Sequence, residues 1–327
     1  MRKMAVVLAL AAASAAAGVV KEVEIREWPV PYAESRPRDP FVDARGRVWF
    51  VGQRGNYVAY LDPASGQFRR YELEDGALPH NLIVSRSGAV WYAGNGNGHI
   101  GRLDPATGQV RRYPMPDAAA RDPHTLVEAA NGDLWFTVQG GNFVGKLNPS
   151  SGEVRLVAMP TRGSRPYGIV LDARGRPWFN LFGTNKLGTI DPATMQLTQV
   201  DLPREAARGR RIAMTSDGKV WYVDYAGGFL GRYDPATRQF KEWQLPGGAA
   251  SRPYAMAVDD RDVLWAVETG SRPNRFVGFD PRTEQFFGIT PILPSGGDVV
   301  RHMVFHRPTR EIWFGTDANT IGRAKLP

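Results

Sequence analysis

The stretch Arg165-Pro166-Tyr167-Gly168-Ile169-Val170-Leu171, the turn Asp172-Ala173-Arg174-Gly175, then Pro177-Trp178-Phe179-Asn180, Lys186-Leu187-Gly188-Thr189-Ile190, the turn Asp191-Pro192-Ala193-Thr194 and finally Gln196 to Pro203 reads as four strand-sized runs separated by turn residues. Trp178 in its middle is one rung of a ladder. Trp49, Trp91, Trp135, Trp178, Trp221, Trp265 and Trp313 follow one another at intervals of 42, 44, 43, 43, 44 and 48 residues. A period of about 40–45 residues with four short strands per unit is the signature of a β-propeller blade. The chain is therefore expected to be an all-β, seven-bladed β-propeller.

The second turn of the unit recurs at Asp62, Asp104, Asn148, Asp191, Asp234 and Asp280. Pro at its second position presets φ, and the Asp or Asn side chain accepts a backbone N–H, so the block punctuates a hairpin and carries no catalytic content. Six such turns against seven tryptophans leave the last unit one strand short. Ile25-Arg26-Glu27-Trp28-Pro29-Val30-Pro31 resembles the fourth strand of blade five, Phe240 to Pro246. The N-terminal segment is thus expected to complete the last blade and close the ring, which removes open sheet edges.

Met1-Arg2-Lys3-Met4 and the apolar run Ala5 to Ala17 have the basic start, short hydrophobic middle and small-residue exit of a secretory signal peptide, with cleavage expected near Ala17. The run falls short of the roughly 20 residues of a membrane span. Residues 18–327 then form one propeller domain, a monomer placed in the periplasm or secreted, with no transmembrane segment. The chain has no cysteine, which excludes disulfides, lipoprotein anchoring and thiolate catalysis. Its net charge of +8 is spread over the repeats, at Arg69-Arg70, Arg111-Arg112 and Arg210-Arg211, so a solvated basic surface is expected and no nucleic-acid partner.

In a propeller the innermost strands line the central channel, and the residue eleven before each ladder tryptophan marks where that strand begins. This column reads Arg38, His80, His124, Tyr167, Arg210, Tyr254 and His302, with Arg301 in the last place if that blade carries an insertion. It predicts a ligand-binding rim for a small molecule, glycan or peptide, or else a polar cap on a wet channel. Three residues after each tryptophan stand Gly52, Gly94, Val138, Leu181, Asp224, Glu268 and Thr316, with Asp317 adjacent. Asp224, Glu268 and Asp317 could together hold a hard divalent cation such as Mg²⁺, or pair with nearby arginines. His99 and His306 lie outside both columns and are expected on the surface.

The repeated Pro-[Tyr/His]-x-[Ile/Leu] strand, the Gly-x-x-Trp-[Phe/Tyr] strand and the Gly-[Arg/Lys/Thr]-[Leu/Ile/Tyr]-[Asp/Asn]-Pro turn resemble the streptogramin B (virginiamycin B) lyase family from about residue 22 to 327. The resemblance implies a seven-bladed propeller that opens the ester of a cyclic depsipeptide antibiotic by Mg²⁺-assisted elimination. It further implies a Glu-x-His at the start of the last blade's innermost strand, a Glu fourteen residues after that His, and a second His on the preceding blade. Here Val300 stands at the first Glu and His302 at the His. Thr316, followed by Asp317, stands at the second Glu, and Tyr254 at the second His. Two readings follow. One is a lyase opening an ester or lactone, or cleaving a uronate-like glycan, with His302 as general base and Asp317 as the acidic partner. The other is a non-catalytic propeller binding an anionic ligand through its Arg/His/Tyr rim. A quinone-cofactor dehydrogenase lacks a recognisable contact set.

Overall fold

The computed structural model describes residues 22–33, 35–293 and 295–327. The signal-peptide segment lies outside the described residues. Seven four-stranded antiparallel sheets follow one another along the chain, and in six of them the strands lie in sequence order. The seventh takes its outermost strand from the other end of the chain. Glu24–Pro29 pairs with Thr320–Lys325 in continuous register, so the ring closes through the N-terminal segment as the sequence predicts. The innermost strands are Pro37–Val42, Pro79–Val84, Pro123–Glu128, Pro166–Leu171, Gly209–Met214, Pro253–Val258 and Val300–His306. Each packs against the next around the ring, and the last returns to the first.

The ladder tryptophans are buried between blades, with Trp49, Trp135, Trp221 and Trp265 at 1% exposure or less. A buried indole N–H needs an acceptor, and the turn before each strand can supply it. Trp49 donates to Asp43 at 2.8 Å, Trp221 to Thr215 at 3.0 Å and Trp265 to Asp259 at 3.2 Å. The two tryptophans outside the ladder stack on it from the outermost strands: Trp28 on Trp313 with centroids 5.4 Å apart, and Trp243 on Trp221 at 5.5 Å. In the blades of Tyr92, Phe136, Phe179, Tyr222 and Phe314 the aromatic residue after the ladder tryptophan explains a repeated glycine. Phe179 pairs across the strands with Gly188, where a Cβ would collide with the phenyl ring. His99 corrects the surface expectation. It is 3% exposed, set edge-on to Tyr92, with Nε2 3.0 Å from Glu74 Oε1.

One 3₁₀ turn, Gly248–Ser251, is the only helix among the described residues, and no described helix is long and apolar enough to cross a membrane. At the mouth where the innermost strands begin, called the upper mouth below, asparagines tie several blades to the next. Asn142, left-handed at φ 69°, donates to the carbonyls of Met159 and Thr161 at 3.2 and 2.9 Å and accepts from the Arg165 amide at 3.1 Å. Asn56 and Asn319 make equivalent staples. Asparagine suits the position because its short amide tolerates the left-handed region that other side chains avoid.

Candidate functional site at the upper mouth

Every innermost strand carries a register shift near its start, two residues standing where the neighbouring strand offers one. Such bulges re-aim side chains. Seven repeated bulges place two tiers of residues on the channel axis.

The first tier contains Arg38, His80, His124, Tyr167, Arg210, Tyr254 and Arg301. The register settles the last position. Val300 pairs with Thr316 as Pro253 pairs with Glu268, so Arg301 is the counterpart of Tyr254 and the hairpin to Trp313 is one residue longer. His302 therefore belongs to the second tier. There it joins Asp39, Asn81, Thr125 and Arg211, each one position after a first-tier residue and outside both sequence columns.

The first tier is less open than a rim. The rings of His80 and His124 lie 3.6 Å apart, His124 and Tyr167 lie 4.2 Å apart, and the hydroxyls of Tyr167 and Tyr254 share a short hydrogen bond. Arg38, His80, His124, Tyr167 and Tyr254 are all buried. Only Arg210 and Arg301 keep part of their surface at the mouth. The guanidinium of Arg210 sits 3.5 Å from the Tyr254 ring and within 5.3 Å of Tyr167, Tyr225 and Phe182. That of Arg301 lies 5.7 Å from Tyr254 while its Nε donates to Asp317 at 3.0 Å.

Below them one ion pair crosses the channel from blade five to blade one. Arg211 Nη2 donates to Asp39 at 3.1 Å, its Nη1 to Thr125 at 3.3 Å and its Nε to the Arg301 carbonyl at 3.0 Å. Asp39 also accepts from Asn81 Nδ2 at 3.0 Å and from Arg38 Nε at 3.3 Å. Burial pushes the Asp39 carboxyl upward, but Arg211 and Arg38 outweigh it and hold it well below the usual carboxylate range. His80 and His124 are driven well down by burial and by the neighbouring guanidiniums, so both stay neutral. Tyr254 behaves oppositely. Burial raises its phenol, yet Arg210, Arg38, Arg211 and Arg301 together bring it down to about 7. Tyr167, raised by burial and by the Tyr254 charge, keeps its proton and can donate it to a Tyr254 phenolate.

The acidic column does not converge. Asp224 accepts from the backbone amides of Arg208, Ala226 and Gly227 at 2.7, 3.1 and 3.0 Å and from Arg204 at 2.8 Å. Glu268 accepts from the Gly247 amide at 2.7 Å and from Arg275. Asp317 is taken by Arg301 and, at 3.6 Å, by Arg36. Every oxygen of the three carboxylates already faces an N–H donor, which competes with a hard cation for it. Among the described residues no group of three or more His, Cys, Asp or Glu side chains could hold a metal ion, so the Asp224, Glu268 and Asp317 set expected for Mg²⁺ does not fit. The base assigned to His302 fits no better. Burial and Arg211 bring its imidazole down to about 3, far from the near-neutral value that favours proton abstraction.

The sequence model of the virginiamycin B lyase family matches residues 3–276, ending before the blade that carries Val300, His302 and Thr316. A solved streptogramin B lyase is 27% identical, superposes with a TM-score of 0.84, and the alignment covers 93% of this chain and 98% of that one. Virginiamycin B lyase from Staphylococcus aureus is 25% identical with a TM-score of 0.85, covering 94% and 100% of the two chains. A catalytically inactive histidine-to-alanine variant of that enzyme, solved with quinupristin, matches equally well at 25% identity and a TM-score of 0.85, again over 94% and 100%. No curated protein sequence matches the chain.

Proposed function

The chain belongs to the virginiamycin B lyase family, and from that premise we propose that its upper mouth binds a carboxylate-bearing small molecule, glycan or peptide through Arg210 and Arg301. The observation that carries this reading is the local charge. Arg38, Arg210, Arg211 and Arg301 surround Tyr254, while Asp39 and Asp317 are the carboxylates paired among them. A planar guanidinium offers forked donors that match a carboxylate, and the excess positive charge needs an anion. Arg36, Arg208 and Arg252 stand just before three of the innermost strands and extend the positive field outward. The leader-like N-terminal sequence supports work outside the cytoplasm.

A second reading rests on Tyr254, which occupies the place of the family's second histidine. Its phenolate would take the proton beside a carboxylate or ester carbonyl. That electron pair would form a carbon–carbon double bond as the carbon–oxygen bond to the leaving group breaks. Arg210 covers the phenol, so a substrate reaches it only when that guanidinium swings onto the substrate's carboxylate. Val300 and Thr316 replace the family's acids, so no step runs through a metal.

The test is calorimetric titration with trigalacturonate. The wild type should bind it, more weakly as salt rises, and Arg210→Ala combined with Arg301→Ala should weaken binding at least tenfold. Binding unchanged by the double substitution, or no binding of this or any other carboxylate probe, overturns the proposal. An unsaturated product that appears with the wild type and vanishes in Tyr254→Phe selects the second reading.

A further inference from the structure

Beneath the Asp39–Arg211 pair the channel changes character. The second halves of the innermost strands are mostly apolar, Glu128 and His306 at two of their ends excepted, and Leu82, Val84, Leu126, Val170, Ile212 and Val304 help to wall a cavity of about 310 Å³. This lies at the lower end of the roughly 300–1,000 Å³ typical of small-molecule sites. Its inner end is polar. Arg211, Asn81, Thr125 and His302 line it; His302 Nδ1 is closed off inside the protein without a hydrogen-bond partner among the described residues, which leaves Nε2 as the ring nitrogen able to face the cavity.

We propose that this lower half of the channel is a second ligand site, for a neutral and largely apolar molecule carrying one hydrogen-bonding group that meets the His302 imidazole. The neutrality follows from the charges that line it, each of which is compensated: Glu128 accepts from the Arg86 amide at 3.1 Å and lies 3.6 Å from its guanidinium. Arg211 is compensated by Asp39, which it contacts at 3.1 Å, and the His302 imidazole is uncharged because burial and Arg211 both oppose its protonation. An anion gains no free positive charge there, and a cation would face Arg211. The apolar body follows from the β-branched and leucine walls, whose burial by a ligand contributes about 25 cal/mol per Å². The site is independent of the upper mouth. The ion pair and its partners separate the two, and neither Arg210 nor Arg301 lines the lower cavity.

The probe is N-phenyl-1-naphthylamine, a neutral aromatic amine with one N–H, whose fluorescence rises in apolar surroundings. Titration of the intact protein should give saturable binding at one site. Val84→Phe combined with Val170→Phe narrows the cavity and should abolish it, with near-ultraviolet circular dichroism reporting whether the fold is kept. His302→Leu, which does not depend on that variant folding, should weaken the amine about fivefold, the worth of one hydrogen bond, and leave 1-phenylnaphthalene, which has no N–H, unchanged. Arg210→Ala should leave both probes unaffected. Absence of saturable binding overturns the proposal, as does binding that survives the narrowed and folded variant. So does equal weakening of both probes by His302→Leu.

Discussion

The upper and lower halves of the channel are built from the same seven strands, yet they share almost no chemistry. Above the Asp39–Arg211 pair the bulged residues are arginine, histidine and tyrosine; below it the same strands continue as valine, isoleucine and leucine. The difference is made by the bulge. Two consecutive residues opposite one partner break the alternation of the strand and turn both side chains to the axis. Past the bulge the regular pleat returns and side chains pack into the faces between blades. A single propeller can therefore carry a charged mouth and an apolar funnel without any insertion, provided something keeps them apart.

The largest expected effect comes from removing that partition. Arg211→Met leaves the Asp39 carboxylate buried without its main partner, and breaking a buried pair on one side costs about 3–5 kcal/mol. The urea midpoint should fall accordingly. Asp39→Leu together with Arg211→Met removes both charges and should recover part of the loss, because no orphaned ion remains. If the single and double variants were equally unstable, the two halves would be separated by packing and the ion pair would be incidental.

A smaller effect should sharpen the electrical side of the contrast. Tyr254 has its phenol at about 7 because four guanidiniums outweigh its burial. Removing the nearest one in Arg210→Ala should raise it by at least about one unit, equivalent to roughly 1.4 kcal/mol. Tyrosinate ultraviolet absorbance reads this directly, and Tyr254→Phe should abolish the near-neutral step. The sign for stability follows from proton binding. The folded phenol loses its proton near 7 and an unfolded one near about 10, so stability rises across that interval and the gain is lost as pH falls through 7. A wild-type protein whose tyrosines all titrate near the ordinary value would remove the charged character assigned to the mouth.

The fold is legible in the sequence because it is periodic, and only the first tier of the mouth is legible for the same reason. Seven tryptophans and six hairpin turns fix blade number and closure, and even Trp28 and Trp243 fall into place as outer-strand stacking partners. Counting back from the tryptophan assumes constant hairpin length, which fails where Arg301 and not His302 aligns with Tyr254. The bulge turns the next residue to the axis as well, against the alternation of a regular strand, so a single column misses Asp39 and Arg211, which stand ten residues before Trp49 and Trp221. The acids misled because Asp224 and Glu268 resemble ligands by position. Both are instead consumed by the amides of the loops beside them.

The smallest effect concerns what holds the mouth in shape. Asn142 accepts from the Arg165 amide and donates to two carbonyls of the loop between blades three and four, whereas its lower-face analogue, the Asp172 turn, bonds only within its own hairpin, to the amides of Arg174 and Arg176 at 2.9 Å. Asn142→Gly keeps the left-handed backbone and removes the staple, so it should cost about 1 kcal/mol, the net worth of a side-chain hydrogen bond where water can replace part of it. Asn142→Ala should cost more by roughly the 1–2 kcal/mol of placing a Cβ in that region. The distinguishing readout is hydrogen exchange at the Arg165 amide. It should speed up in both Asn142 variants and stay unchanged in Asp172→Ala, because the staple spans two blades while the turn stabilises one. Equal exchange in all three would mean that the upper loops are held by the sheets alone.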